Sequence, residues 1–329
     1  MINFKRSGSI CKSIVFLDGG AGSGKQILSS LLPMMRDTEI IQLDLIFESL
    51  ALLYDNDKIE EKAAQTLLNT YADAKIYDAC LGRHSNFRFR DISSVFWQPN
   101  LIQNIFRIFR KDDTFEKSKL LINEIQEKKL TLNIVTHFLM CFPEIIFSSY
   151  SDRAIIIEIE RHPVSLFDFW KKGNWIYKFG KNLKDLSLWH CKNNEFYPWF
   201  IDGEEEKYDF FNEIDKIVFS LYLIYKKRLK KIESLDKNSL DSVILIKFEE
   251  FVKDPSHVIK EIEKKFNKKI ESKKIKKFFK KENLPRQINM DEFSKKRKDI
   301  INMITSDEMK NIFNEMCNDY ESKLNLIEG

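Results

Sequence analysis

Short apolar runs recur along the chain at 14–17 (IVFL), 39–43 (EIIQL), 130–136 (LTLNIVT), 154–159 (AIIIEI) and 242–247 (SVILIK). Runs this brief and this rich in β-branched residues predict strands buried on both faces, as in a parallel sheet. Between them apolar residues recur three or four apart, over 46–79, 101–129, 164–172, 208–231 and 256–266, and again in a last stretch reaching about residue 324. That period predicts amphipathic helices. Strands alternating with helices predict an α/β fold of three α/β/α layers with a mainly parallel central sheet. The long helical blocks are then insertions at about 46–129 and 170–235 and a helical tail at about 256–325. No internal repeat, Pro-rich linker or low-complexity tract divides the sequence, which predicts a single domain over 1–329.

The first strand runs into the most informative stretch, SIVFLDGGAGSGKQILSSLL at 13–32. Glycines at 19, 20, 22 and 24 form a turn between a strand and a helix, the setting of a P-loop. Successive backbone N–H groups there curl around an anion, the helix N-terminus adds about half a positive charge, and Lys25 adds a mobile full charge. The spacing Gly19-x4-Gly24-Lys25 meets the pattern, but Gln26 stands where a nucleoside triphosphatase carries the Ser or Thr that holds magnesium. Gly22, Ser23, Gly24, Lys25 and Gln26 are thus the candidate anion cradle.

Other strand ends deliver further chemistry to the same sheet edge. Asp44 and Glu48 follow the second strand, four residues apart, as candidates to orient an acceptor hydroxyl or serve as base, or else as helix-start acids answering the dipole. His137 ends the third strand and Arg161 the fourth, with Pro163 at the first position of the next helix. The polar run 81–99 holds Arg83, His84, Arg88 and Arg90. It is either an anion-binding insertion or a loop of local Arg–Asp pairs. The aromatic segment 173–202, with Trp199, is either an acceptor wall suited to sugar rings or ordinary loop packing.

Composition narrows the classes. The chain has 329 residues, 43% of them hydrophobic, ample for a core. Lys+Arg of 54 against Asp+Glu of 50 gives a net charge of +4, too balanced for a dedicated nucleic-acid binder. Five scattered cysteines show neither a zinc spacing nor a disulfide framework, the first residues, MINFKRSGSICK, hold no 7-to-15-residue apolar run followed by a small-residue cleavage site, and there is no run of 18 apolar residues. A soluble cytoplasmic protein without stable membrane insertion is expected. The Lys-rich stretch 268–281 is a solvated helix face or a patch for peripheral contact with a membrane surface.

Taken together these segments resemble the sulfotransferase family that uses 3′-phosphoadenosine 5′-phosphosulfate. DGGAGSGKQILSSLL resembles the family's 5′-phosphosulfate loop, Thr136-His137 its Thr-His strand end, DRAIIIEIERHPVSLFDFW its 3′-phosphate segment, and FEEFVKDPSHVIKEIEKKF the segment after its last main strand. The resemblance implies Lys25 and the loop on the 5′-phosphosulfate, His137 as general base and Arg161 on the 3′-phosphate. It also implies adenosine 3′,5′-bisphosphate as product, no metal, and a small-molecule or glycan acceptor. The chain departs from the family at Lys25, where Thr is usual, and at Phe169, eight residues after Arg161, where a Ser holds the 3′-phosphate. Ser165 is the candidate replacement, and Arg286 and Arg297 the candidates for the absent C-terminal Arg-Lys-Gly grip. Two other readings stay open: a P-loop small-molecule kinase using ATP and magnesium with Asp44 as base, and a non-catalytic nucleotide- or glycan-binding protein.

Overall fold

The computed structural model describes residues 6–83, 85–89, 91, 94–97, 101–178, 182 and 187–324. Its strands are β1 (Ser13–Asp18), β2 (Gln42–Leu43), β3 (Thr131–Val135), β4 (Ala154–Glu160), β5 (Trp189–Lys192), β6 (Glu195–Pro198) and β7 (Val243–Lys247). Five of them form one sheet in the order β2-β3-β1-β4-β7, and every pair in it is parallel.

Alternation along β1 explains why both faces are covered. Ile14 and Phe16 join Leu132, Ile134 and Ile156 in one apolar cluster, while Val15 and Leu17 join Ile157, Ile159 and Ile246 in another. With both faces apolar, the sheet is stable only between two helical layers.

The helices are α1 (Gln26–Leu31), α2 (Ile46–Asp55), α3 (Glu61–Cys80), α4 (Leu101–Arg107), α5 (Phe115–Glu127), α6 (Glu144–Tyr150), α7 (Pro163–Lys172) and α8 (Trp175–Lys178) in the first half of the chain. The second half carries α9 (Glu205–Phe210), α10 (Glu213–Ser234), α11 (Lys237–Asp241), α12 (Phe248–Lys253), α13 (Pro255–Phe266), α14 (Ser272–Glu282), α15 (Met290–Met303) and α16 (Asp307–Ser322). On α3 the residues Ala64, Leu68, Ala72 and Ile76, each four apart, form a fully buried stripe against the first face. α1, α12, α13 and α14 cover the second face through Leu28, Phe251, Ile259 and Phe278. A third cluster joins α7, α10 and α16 through Trp170, Leu221 and Phe313.

β1 lies between β3 and β4. The chain leaves β1 for one side of the sheet and later crosses to the other, so the carboxyl ends of β1, β3 and β4 open on the topological switch point where α/β proteins bind ligands.

Several expected elements are reshaped. The strand expected at 39–43 contracts to Gln42–Leu43 because Glu39 turns inward as a buried carboxylate, held by both guanidinium nitrogens of Arg107, one of them at 2.8 Å. That ion pair ties the 81–129 insertion to the sheet edge. The helix expected over 208–231 breaks at Asn212, whose side chain accepts from Ile214 N at 2.8 Å and Asp215 N at 3.0 Å and so starts α10 afresh. Within the aromatic segment, β5 and β6 form an antiparallel hairpin across Asn193 and Asn194, both with positive φ. Asn-Asn between two short runs is the available signal for such a turn. At α13 the expectation holds: Asp254 caps by accepting from His257 N at 3.3 Å, Pro255 opens the helix, and Val258, Ile259 and Ile262 are buried.

Candidate functional site

The loop after β1 takes its shape from glycine. Gly19, Gly22 and Gly24 have φ of 134°, 94° and 91°, a region that side-chain-bearing residues avoid. A Cβ on Gly22 would lie 2.6 Å from Phe169, and one on Gly24 would lie 2.3 Å from the edge of the Phe248 ring. The loop is thus clamped between two aromatic faces. Among the described residues the backbone N–H groups of Gly22, Gly24, Lys25 and Gln26 meet no protein acceptor. Free N–H groups on a glycine turn entering α1 are what an anion requires. The Gln26 side chain is exposed at the loop's rim.

Lys25 does not point outward. Its ammonium donates to the Gly19 carbonyl, close to the carboxyl groups of Asp18, Glu48 and Glu158. Burial pushes the amine down to about 8, and the three acids oppose that shift. Asp18 is itself buried, accepting from Thr136 Oγ1 and Met140 N, each at 2.8 Å. Across the parallel register Asp18 faces Glu158. Burial first, then the neighbouring Asp18, holds Glu158 well above the usual carboxylate range. Neither acid stands out in the sequence, since Glu158 lies between two isoleucines and Asp18 closes β1 just ahead of the glycines.

Glu48, in the first turn of α2, accepts the backbone N–H of His137 at 2.8 Å and that of Phe138 at 3.2 Å, both through Oε2. Burial and the nearby Asp18 raise its carboxyl to about 7, against the N–H donors and Lys25. The His137 ring makes no hydrogen bond among the described residues, and burial together with Lys25 pushes it down to about 3. The imidazole is therefore neutral at physiological pH, and the carboxyl titrates there.

Arg161, at the exit of β4, donates from Nη1 to the Gly22 carbonyl at 2.8 Å and lies 4.7 Å over the Phe248 ring. Its Nε is buried without a partner. The next residue, His162, is buried; its Nδ1 accepts from Val164 N at 3.2 Å, so Nε2 carries the proton that meets Glu321 at 3.0 Å. Glu249 accepts from Tyr320 Oη and from His162 N, the latter at 3.4 Å. These contacts dock α16 and α12 onto the segment bearing Arg161.

The other expected residues fall in different places. Asp44 has three partners: Oδ1 accepts from Ile46 N at 3.0 Å, and Oδ2 from Tyr71 Oη at 2.7 Å and Lys75 at 2.5 Å. Of its two readings, the helix-start acid is the one its contacts match. Phe169 packs on Gly22 and stacks on Trp175 at 5.8 Å. Ser165 sits on the first turn of α7, and its N–H donates to the His162 carbonyl at 2.9 Å. Arg286 closes the end of α14 by donating to the carbonyls of Glu282 and Asn283, at 2.8 and 3.3 Å. Arg297 is engaged with α16, donating to Asn314 and Asn318 at 2.8 Å each. Arg83 pairs with Asp78 and Asp112, both at 2.8 Å, on the surface; Arg88 is exposed, and His84 and Arg90 lie outside the described residues.

Trp199 packs edge-on against Phe142 at 4.7 Å and Phe138 at 5.6 Å. It lines a cavity of about 650 Å³ with Leu52 of α2, and with Trp189, His190 and Glu205. His190, Asp202 and Glu205 form a cluster of metal-ligating type there, but Glu205 is already bound by Lys192 at 2.7 Å and His190 at 2.9 Å. On α14 the lysines of the 268–281 stretch face solvent while Ile275, Phe278 and Phe279 face the core. No helix among the described residues is long and apolar enough to cross a membrane.

No model of a known protein family and no curated protein matches the chain. Among solved structures it is similar to sulfotransferase STF9 from Mycobacterium avium, at 13% identity and a TM-score of 0.43, over 97% of this chain and 78% of that one. It is similar to a sulfotransferase from Alicyclobacillus acidocaldarius at 13% identity and a TM-score of 0.38, over 94% and 96%. The sulfotransferase domain of the Synechococcus PCC 7002 olefin synthase gives 13% and 0.38, over 81% and 77%. Likeness at this level carries no argument about activity, and the functional reading rests on the chain's own residues.

Proposed function

We propose that the protein transfers a sulfuryl group from 3′-phosphoadenosine 5′-phosphosulfate to a hydroxyl of a small-molecule or glycan acceptor, without a metal ion. The observation that carries this reading is the pairing of the free N–H groups of Gly22, Gly24, Lys25 and Gln26 with a carboxyl at Glu48 raised to about 7. The donor supplies an activated sulfuryl group on a phosphate leaving group. The loop N–H groups and Lys25, swung out from the Gly19 carbonyl, hold that phosphate and neutralise the charge that develops on it. Arg161, with its unpartnered Nε, takes the 3′-phosphate. Glu48 accepts the proton of the acceptor hydroxyl as the new O–S bond forms and the bond from sulfur to the phosphate oxygen breaks. Neutral His137 orients that hydroxyl. A base works best with a pKa near the working pH, which favours Glu48 over His137 for the proton. The cavity beside Trp199, on the α2 side, suits a sugar ring.

The kinase reading is weakened by two observations. Gln26 offers no hydroxyl to magnesium, and Asp44 already accepts from Ile46, Tyr71 and the Lys75 ammonium, which would compete with a substrate proton for it. Calorimetry with adenosine 3′,5′-bisphosphate in the presence of EDTA tests the proposal. Binding unaffected by the chelator is expected; binding of ATP only, and only with magnesium, would overturn it.

A further inference from the structure

The insertion between β2 and β3 carries a helix turned inside out. On α4, Asn104 and Arg107, three apart, are buried, the latter against Glu39, whereas Ile102 and Phe106, four apart, are 71% and 66% exposed. A surface helix of a water-soluble protein does the reverse. Phe109, just past the end of α4, is 70% exposed. The short turn Val95–Trp97 packs against α4, and there Phe87 and Phe89 lie 6.1 and 5.8 Å from Phe96, three exposed rings in contact with one another. Exposed apolar residues gathered in this way mark an interaction surface. We propose that this face docks the protein on the surface of an anionic lipid bilayer, with Ile102, Phe106 and Phe109 entering the acyl boundary.

Charge selects the occupant. Residues 81–120 hold eight Lys and Arg against four Asp and Glu, a surplus equal to the net charge of the whole chain, so the rest of the sequence is neutral in sum. Arg107 is neutralised by Glu39, while Asp112 is held by Arg83 and Asp113 by Lys117. Arg88, between Phe87 and Phe89, and Lys111, two residues after Phe109, are exposed and in no ion pair among the described residues. A second copy of this chain would set like surpluses face to face across a two-fold axis. A single-stranded nucleic acid would stack on the rings but leave the aliphatic Ile102 and Ile108 uncovered. An anionic bilayer answers both features, since its acyl boundary takes the apolar side chains and its phosphates and carboxylates take the cations. The Lys-rich stretch 268–281 lacks this pairing: its lysines face solvent, but Phe278 and Phe279 face the core.

The test floats the full chain with vesicles of phosphatidylcholine holding about 30% phosphatidylserine, and with vesicles of phosphatidylcholine alone. Partition onto the anionic vesicles should be about tenfold the stronger. Ile102→Ser combined with Phe106→Ser should lower it about tenfold or more and leave the far-UV circular dichroism unchanged, since both side chains face solvent. Arg88→Ala combined with Lys111→Ala should remove most of the preference for the anionic vesicles, about tenfold. No flotation with either vesicle, equal flotation with both, or a folded Ile102→Ser, Phe106→Ser variant that floats as the parent does would each overturn the proposal. So would self-association in sedimentation, or binding of a single-stranded oligonucleotide, that those substitutions abolish in a chain that does not float. The charge-removing pair reads the preference separately, so the test stands even if the apolar variant fails to fold.

Discussion

The carboxylate of Glu48 is fastened to the backbone of His137, with Oε2 accepting that residue's N–H at 2.8 Å and the next at 3.2 Å. One acid on α2 thus holds the chain just past β3, and among the described residues its other oxygen meets no hydrogen-bond partner. The same burial that raises Glu48 to about 7 lowers His137 to about 3, which separates their roles.

Turnover should accordingly rise with pH up to about 7 and level off above it, because Glu48 must be ionised to take a proton. Glu48→Gln should lower kcat by about 10²- to 10⁴-fold and remove that rise. His137→Ala, which loses only an orienting group, should keep the rise at a lower plateau. A pH–rate profile of the three proteins checks this; a rise that persists in Glu48→Gln would remove Glu48 from the base role.

Stability carries the same signature. The folded-state pKa of Glu48 is raised from 4.5 to about 7, so the folded protein binds a proton that the unfolded chain releases. Its stability should therefore fall as pH climbs from 4.5 to 7 and be flat beyond. Gln keeps the acceptor for both N–H groups and never ionises, so Glu48→Gln should gain in Tm relative to the parent across that window. Scanning calorimetry below pH 8, where Lys25 keeps its charge, reads the difference.

At the loop, Gly24→Ala should be among the most damaging single-methyl additions. The new Cβ would lie 2.3 Å from the edge of the Phe248 ring, and φ at that residue is 91°, so steric overlap and backbone strain act together. A loss of about 2 kcal/mol or more is expected in urea denaturation, with loss of nucleotide binding.

Two arginines implied by the resemblance should behave differently. Arg161→Lys loses the planar fork that reaches Gly22 and the stacking on Phe248, and should weaken adenosine 3′,5′-bisphosphate about tenfold in calorimetry. Arg297→Ala should change that affinity less than about twofold, a small fraction of 1.4 kcal/mol. Its guanidinium is already engaged with Asn314, Asn318 and Glu321.

Arg107→Leu leaves Glu39 buried and unpaired. Removing one member of a buried ion pair costs about 3–5 kcal/mol. The expected outcome is a lower urea midpoint, with the 81–129 insertion opening first in hydrogen exchange.

Much of the fold follows from local pattern. The β-branched runs at 14–17, 154–159 and 242–247 can be satisfied only inside a parallel sheet, and the glycines at 19, 22 and 24 permit only a turn that exposes backbone donors. The hairpin at Trp189–Pro198 was hidden because its strands are short and their residues half exposed, so no clean alternation marks them. The break at Asn212 was hidden because apolar residues continue at helical spacing through it.

The sequence by itself determined the sheet, the loop and the strand ends that carry His137 and Arg161, because these depend on periodicity and on backbone freedom near one residue. Tertiary structure alone decided what those groups are. Asp18, Glu48 and Glu158 come from separate segments and meet around Lys25 only in the fold, where burial raises the carboxyls of Glu48 and Glu158. Asp44 and Arg297 look equally available in the sequence and are both engaged in the fold, since a partner such as Tyr71 or Asn314 is found through packing, across distances along the chain that no local pattern encodes.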